Sequence, residues 1–461
     1  MEPDKNKISV TVCPAAVAGT VLMMLLRVFD KSSALSVCLV ILGMTAFLWA
    51  VRHASSRKQF VITASLLAVT FAVRFYGYTG GPAADIVLGL LVGLIIFFLM
   101  AAERLFRKFE EQPWYVLIFP VVYLLFMYFT EVLKINMPFR LDPYFSCMTF
   151  YCQITALLGI YFLDFMLGLT ASALVWLIDH RISGKSLIIG LSYLAVLALI
   201  LVYDGIHLKK MEAQESAKTD TVRVAYVTGP YSGTFTEASD VNFPFEETLD
   251  YFNRAAADAA SENAEILLFS EEAYCIADTN EEALLAAVKA AAAEYNMHIL
   301  LAFEVEDSDD SEGGKSINKL DWISPEGQVL YDYTKHCIIP VIETSDYVRG
   351  DKLITPFEIS VHGKTLTVAT AICYDSDFEL FMSSMGKNID MVLIPTWDWK
   401  VIAWEHFGVA RLRAISTETT LIRSVYDGWS AVIDSTGEVL ACDNTNNSGY
   451  ASVLVYDVPV K

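Results

Sequence analysis

Three groups of residues could carry chemistry, and each sits just beyond an apolar run. In ILLFSEEAY, Glu271 and Glu272 follow directly on a hydrophobic stretch. In YDYTKHCIIPVIE, Lys335 stands between a strand-like run and Pro340, with Glu343 eight residues further on. TLTVATAICYDSDF ends its apolar run at Cys373 and leads into a helix start at Asp375 to Asp377. A thiol with an ordinary pKa of ~8.5 is mostly protonated at neutral pH and attacks only as the thiolate. It therefore needs a group to take its proton, and the anion formed on its target needs a positive charge. Taken singly, a strand-end cysteine is usually a small buried hydrophobe, and a strand-end Glu or Lys a solvated loop charge. The order Glu, Lys, Glu, Cys, each at a strand end, is far more specific.

The elements that must position these residues alternate between strand and helix patterns. Strands are expected at 221–227, 265–269, 298–305, 317–324, 365–372 and 390–395, with two late ones near 429–434 and 450–456. Helices are expected at 246–262, at 281–296 and around Glu405 to Thr417, and Ser-Pro-Glu-Gly at 324–327 reads as a hairpin turn. Alternating βα units with interspersed hairpins point to two sheets covered by helices. A segment of this size, 221–461, can bury a substantial core.

The rest of the chain is a different material. The 461 residues carry a net charge of −21, yet the mean hydropathy is +0.43. Up to Asp220 there are 18 Lys and Arg against 15 Asp and Glu, a net +3; from Thr221 on, 15 against 39, a net −24. A greasy, nearly neutral half is joined to an acidic one, and with no basic face to meet phosphates a nucleic-acid binder is excluded. Apolar runs near 8–29, 33–51, 60–78, 85–102, 113–130, 150–178 and 186–203 are of bilayer-spanning length. Residues 1–205 thus read as a membrane domain of about seven helices, and 206–220 as a linker or helix extension. Lys5 with Lys7, Arg52 with Arg57 and Lys58, Arg104 with Arg107 and Lys108, and Arg181 with Lys185 fall in alternate segments, which should be cytoplasmic. An odd number of spans starting inside delivers the acidic half to the outer face. Within the spans, Arg74 is expected to snorkel beside Tyr76 and Tyr78, while Asp164 suggests a polar cavity, a head-group contact or an ion path.

Residue by residue, the chain resembles the nitrilase superfamily, and within it the apolipoprotein N-acyltransferases of bacterial membranes. The family's first Glu, after a hydrophobic strand, falls on Glu271. Its Lys, followed by a Leu-Val-Pro-like step and a second Glu, falls on Lys335, Ile338, Ile339, Pro340 and Glu343; its Cys-Tyr-Glu motif falls on Cys373, Tyr374 and Asp375. A downstream Trp recurs as Trp399 and an Arg-Ala helix as Arg413 with Ala414. The resemblance implies a four-layer α-β-β-α nitrilase-like domain behind a multi-span α-helical membrane domain. It also implies a Glu271, Lys335 and Cys373 triad, with Glu271 as base, Lys335 facing the oxyanion and Glu343 either orienting Lys335 or sharing the proton load. The implied reaction moves a fatty acyl chain from a phospholipid, through a thioester on Cys373, to the amine of a diacylglyceryl-cysteine lipoprotein. The implied setting is the bacterial cytoplasmic membrane, with the catalytic domain outside and the protein a monomer.

The chain also departs from the pattern. Phe269-Ser270 replaces the usual Trp-Pro, Val341-Ile342 the Phe-Gly, Asp375 the motif Glu and Thr396-Trp397 the Asn-Asp; the 228–245 loop lacks its Trp, and Val460 and Lys461 follow a β-like segment where a further span is common. Trp397, Trp399 and Trp404 could be core anchors or guide an acyl chain. A membrane-tethered amidase or hydrolase, in which water resolves the acyl-enzyme, is the alternative within enzymes, and a non-catalytic membrane scaffold the alternative outside them. Cys275, Cys337 and Cys442 could form disulfides on an oxidising face, Cys275 with Cys337 above all. The seven His show no metal-ligand spacing, so neither metal nor cofactor is expected.

Overall fold

The computed structural model describes residues 5–27, 31, 33–79, 81–136, 139–180, 184–228, 243–306, 315–340, 343, 347–399, 401–444 and 453–460. The chain divides into two compact units, Met1–His207 and Leu208–Lys461.

The first unit is helical: Lys5–Leu25, Ala34–His53, Arg57–Arg74, Pro82–Ala101, Ile118–Val132, Tyr161–His180 and the start of Gly184–Ser216. Five helical stretches among the described residues are long and apolar enough to cross a membrane: Ala34–His53, Pro82–Phe109, Pro113–Val132, Tyr161–His180 and Gly184–Ser216. The protein is a multi-pass membrane protein. The run at 150–178 is not one helix. Tight 3-10 turns at Asp142–Cys147 and Thr149–Cys152 and a short helix, Thr155–Leu158, end at Gly159, whose φ of 78° breaks the backbone before Tyr161–His180 begins. Apolar composition alone cannot reveal that break. Arg74 does not reach outward. Its guanidinium lies among the rings of Phe71, Phe75 and Tyr144 and donates to the Arg140 carbonyl at 3.2 Å. Asp164, fully buried, accepts from the Leu141 amide at 3.1 Å, so both charges anchor the turn segment. The expected linker is largely helical, because Gly184–Ser216 continues to Ser216.

The second unit has thirteen described strands in two sheets. In order they are β1 Asp220–Val227, β2 Ile266–Leu268, β3 Cys275–Ala277, β4 His298–Glu306, β5 Ile317–Ile323, β6 Val329–Thr334, β7 Phe357–Val361, β8 Lys364–Thr370, β9 Met391–Trp397, β10 Thr420–Tyr426, β11 Trp429–Ile433, β12 Val439–Asn444 and β13 Val453–Val460. One sheet runs β13-β1-β2-β4-β5-β6 with β3 also on β4, and the other runs β12-β11-β10-β9-β8-β7. Their centres, β1-β2-β4 and β8-β9-β10, are parallel, and β2, β4, β9 and β10 are almost wholly buried apolar runs, as strands covered on both faces must be.

The helices Phe245–Ser261 and Glu281–Tyr295 cover the first sheet through Phe252, Ala255, Ala256, Leu284, Val288 and Ala292, all fully buried. Ala403–Thr417 covers the second. The sheets face each other, Trp322 against Phe357 at 5.2 Å and His298 Nε2 near the Ser360 carbonyl at 3.1 Å. This is a four-layer α-β-β-α nitrilase-like sandwich. The strands β3, β7, β10 and β12 add to those read from the sequence; β3 is short, β7 and β12 are half-polar edge strands with a weak pattern, and Arg423 interrupts the apolar run of the interior strand β10.

Candidate functional site

Glu271 is presented by a bulge. The Phe269 amide bonds the Leu300 carbonyl at 3.0 Å and the Ala273 amide bonds the Ala302 carbonyl at 3.1 Å, so Ser270, Glu271 and Glu272 loop out of the sheet and the chain rejoins the same strand, β4, as β3. Glu272, at φ 47°, supplies the left-handed kink that the excursion needs. The Glu271 carboxylate is buried. One oxygen accepts from Lys335 Nζ at 2.7 Å and Asn318 Nδ2 at 2.9 Å, and the other from the Trp397 amide at 2.9 Å. Asn318 Nδ2 also donates to Glu272, again at 2.9 Å.

Lys335 leaves the end of β6 with its side chain wholly buried, and its ammonium pairs with both Glu271 and Glu343. Its amide donates to the Asn318 carbonyl and its carbonyl accepts from Gly350, each at 2.9 Å. A Cβ at Gly350 would come within 1.8 Å of the Thr334 carbonyl oxygen, so only glycine allows that approach. Burial by itself lowers the Lys335 pKa, but the Glu271 and Glu343 charges outweigh it and hold the ammonium well above its usual range. Burial pushes the Glu343 carboxyl up against the pull of Lys335, and burial, then the Glu271 charge, pushes Glu272 far up. Glu343 also accepts from the Ile339 amide at 2.6 Å.

Cys373 lies past the end of β8 at φ 46°, opening a 3-10 turn, Cys373–Asp377. A non-glycine residue there costs roughly 1–3 kcal/mol and persists only where the surroundings over-determine it. Asp375 supplies much of that constraint. It accepts from the Ile372 amide at 3.1 Å, the Cys337 amide at 2.7 Å and the Tyr333 hydroxyl at 2.6 Å, so it ties the cysteine turn to the segment bearing Lys335. Arg413 Nε holds the Ser376 carbonyl at 2.9 Å. Cys373 Sγ donates to the Trp397 carbonyl at 3.5 Å. Burial pushes the thiol well above its ordinary value, Glu271 pushes the same way, and Lys335 opposes. Such a thiol rests protonated, and its thiolate forms only as a neighbour takes the proton.

The structure therefore brings Glu271, Lys335, Glu343, Cys373 and Asp375 together. Tyr374 is instead turned into packing, edge to face with Phe378 at 4.8 Å. Trp397 meets the site through its backbone, its ring lying against Tyr426, and the Trp399 carbonyl accepts from Ile402 and Ala403 at the start of the helix Ala403–Thr417. Residues 341, 342 and 229–242, on which two departures from the family pattern fall, lie outside the described residues. None of the eight cysteines is in a disulfide. The Cys275–Cys337 bridge is not formed: Cys275 Sγ turns to Glu306 at 3.4 Å, and the Cys337 backbone is fixed on Asp375.

Sequence reasoning missed Asn318, Asp398, His406 and Arg423. Asp398 accepts from Arg423 at 2.9 Å and pairs with His406 Nδ1 at 2.5 Å. An arginine inside the apolar run TLIRSVY was the available signal, since a buried charge requires a partner. Ligand-type atoms of Cys373, Asp398 and His406 gather within 4.8 Å, but those of Asp398 and His406 are already engaged with each other and with Arg423. The Glu271, Glu272 and Glu343 oxygens gather likewise, but those of Glu271 and Glu343 hold the Lys335 ammonium and Glu272 accepts from Asn318.

A sequence model of the carbon–nitrogen hydrolase family matches residues 223–460. Apolipoprotein N-acyltransferase 2 of Treponema denticola is 24% identical over 336 residues, 63% of this chain and 61% of that protein, so this chain spans under two thirds of that relative. The apolipoprotein N-acyltransferase of Rickettsia prowazekii is 22% identical over 395 residues, covering 78% of this chain and 74% of the other. Among solved structures, an amidase from Nesterenkonia sp. superposes with a TM-score of 0.42 at 19% identity, over 52% of this chain and 90% of the amidase.

Proposed function

The chain belongs to the carbon–nitrogen hydrolase family, and on that premise we propose that it is a membrane-integral N-acyltransferase working through a thioester on Cys373. The acyl donor is a phospholipid and the acceptor is the N-terminal amine of a diacylglyceryl-cysteine lipoprotein. The observation that carries this reading is the convergence of a buried carboxylate, ammonium and thiol in a chain whose described residues include five helices long and apolar enough to cross a membrane. The likeness to the Rickettsia acyltransferase supports it too, because it covers 78% of the chain, well beyond the half matched by the hydrolase family.

In the first half-reaction Glu271 takes the Cys373 proton as Sγ attacks the ester carbonyl. Lys335, held by Glu343, and the amide following Cys373 stabilise the tetrahedral oxyanion. Collapse breaks the ester C–O bond, and Glu271 returns the proton to the departing lyso-lipid alcohol. In the second half-reaction the lipoprotein amine attacks the thioester, Glu271 takes a proton from nitrogen, and the C–S bond breaks to regenerate the thiol. Trp397 and Trp399 line the route of the acyl chain, and the catalytic unit faces outward from the bacterial cytoplasmic membrane.

The test uses detergent-solubilised full-length protein and acyl-labelled phospholipid. The expected result is label bound to denatured protein, released by hydroxylamine and absent in Cys373→Ala. A diacylglyceryl-cysteine peptide should then discharge it onto the peptide amine. Discharge to free fatty acid alone would replace this reading with a hydrolase; a Cys373→Ala variant with full activity would end both.

A further inference from the structure

One buried cluster stands behind the thiol. His406, on the helix Ala403–Thr417, is 2% exposed, and both ring nitrogens meet acceptors. Nδ1 lies 2.5 Å from Asp398 Oδ1; Nε2 lies 3.2 Å from Asp377 Oδ2 and 3.3 Å from Ser376 Oγ. The Ser376 hydroxyl already donates to the Cys373 carbonyl at 2.7 Å, so its oxygen is left to accept. A neutral imidazole has one N–H and would satisfy only one side, whereas the imidazolium donates to both.

Each side leads to the site within a residue or two. On one, Ser376 and Asp377 belong to the turn that holds Cys373 in its left-handed conformation. On the other, Asp398 follows Trp397, whose amide donates to Glu271 and whose carbonyl meets Cys373 Sγ. Asp398 is braced further by Arg423 and by its own amide on the Tyr426 carbonyl at 2.9 Å.

We propose that His406 is a positioning residue, which clips the Cys373 turn to the Trp397–Asp398 segment through both ring nitrogens and so keeps thiol and carboxylate in register. The ionic surroundings agree. Burial alone would lower the His406 pKa, but Asp398 and Asp377 outweigh it and raise it to about 9. The groups facing the ring are Asp398 from the end of β9, Asp377 and Ser376 from the cysteine turn, and Arg423 from β10 beyond Asp398. The clip therefore holds at neutral pH and opens as pH rises through about 9.

The inference deepens the acyltransferase reading and rests on it, so the test has one arm that needs no lipid. Alkylation of Cys373 by iodoacetamide is followed by mass spectrometry from pH 6.5 to 10.5 in wild type, His406→Gln and Asp377→Asn, alongside acyl-enzyme formation from labelled phospholipid. A glutamine cannot bridge two acceptors as a cation does. His406→Gln should therefore react about tenfold more slowly at pH 7, the loss of one charge-assisted hydrogen bond, and the two rates should converge above pH 10. Asp377→Asn removes one of the two anions and should move the wild-type break to lower pH. A His406→Gln rate ratio that stays constant with pH would mark a merely structural residue and overturn the proposal, as would a ratio near one throughout. If wild type takes up no acyl group while the alkylation pattern is as described, the acyltransferase reading fails and the positioning role stands.

Discussion

The Asp375→Asn substitution tests whether the cysteine turn is held by the network described. The aspartate takes three hydrogen bonds, from the amides of Ile372 and Cys337 and the hydroxyl of Tyr333, and it is wholly buried. Asparagine keeps one acceptor oxygen, which can serve Cys337. Its NH2 group then replaces the oxygen that served Ile372 and Tyr333. The Tyr333 hydroxyl can turn to accept, but the Ile372 amide faces another donor and loses its partner. One charge-assisted hydrogen bond is worth about 1.5–3 kcal/mol and a stranded buried N–H about 1–3 kcal/mol. The two overlap, so the expected loss is about 3 kcal/mol. For a unit of this size each kcal/mol moves Tm by about 2–4 °C, so melting in detergent should fall by about 6–12 °C. The Ile372 amide immediately precedes the left-handed Cys373, so the thiol should also lose its orientation, and acyl-enzyme formation should fall at least tenfold at a temperature where both proteins are folded. Tyr333→Phe, which removes one donor and leaves the two amides, should cost only about 1 kcal/mol. An Asp375→Asn protein melting within 2 °C of wild type (~0.5–1 kcal/mol) and acylating at its rate would refute the reasoning.

Glu271→Gln should lower acyl-enzyme formation by about 10²–10⁴, the usual contribution of a positioned base, with little change in lipid affinity, measured as single-turnover label uptake against lipid concentration. Lys335→Met leaves Glu271 and Glu343 buried without their common counter-charge, at a cost of about 3–5 kcal/mol. Glu343, already pushed up by burial, loses the opposing pull of Lys335, so its folded-state pKa rises further above its unfolded value and stability is retained at low pH and lost as pH rises; melting scans from pH 5 to 8 should show it highest at pH 5. Gly428→Ala puts a Cβ 2.6 Å from Asp398 Oδ2 and from Val425 Cγ1. It should destabilise by about 1–3 kcal/mol and slow Cys373 alkylation, and a melt unchanged from wild type would count against a tight Asp398 environment. A protease added to intact spheroplasts should cut the acidic half; full protection would reverse the proposed topology.

Much of the catalytic unit was legible because most of its central strands are apolar runs with few alternative readings; β10, interrupted by Arg423, is the exception. The edge strands were less so: β7 and β12 mix exposed and buried positions and resemble loops on paper. In the membrane half, 150–178 passed for a span because hydropathy averages over Gly159 and the turns before it. Cys275 and Cys337 were paired by their place beside Glu271 and Lys335, yet sequence position says nothing of where a side chain points, and Cys275 points to Glu306.

What the sequence alone determined is what composition and local pattern can carry: an apolar half and an acidic half, buried parallel strands, and a thiol, an ammonium and carboxylates each stationed at a strand end. Tertiary structure decided which of those ends meet. Glu271 comes from one sheet and Cys373 from the other, and the Trp397 backbone joins them through one hydrogen bond to each side chain. It also decided the partners of the buried polar groups at the site, Asn318 on Glu271, Asp375 on the cysteine turn, and His406 between Asp377 and Asp398. The reason is that a polar group removed from water must be satisfied by whatever the fold brings within hydrogen-bond distance, and those neighbours are distant in the chain.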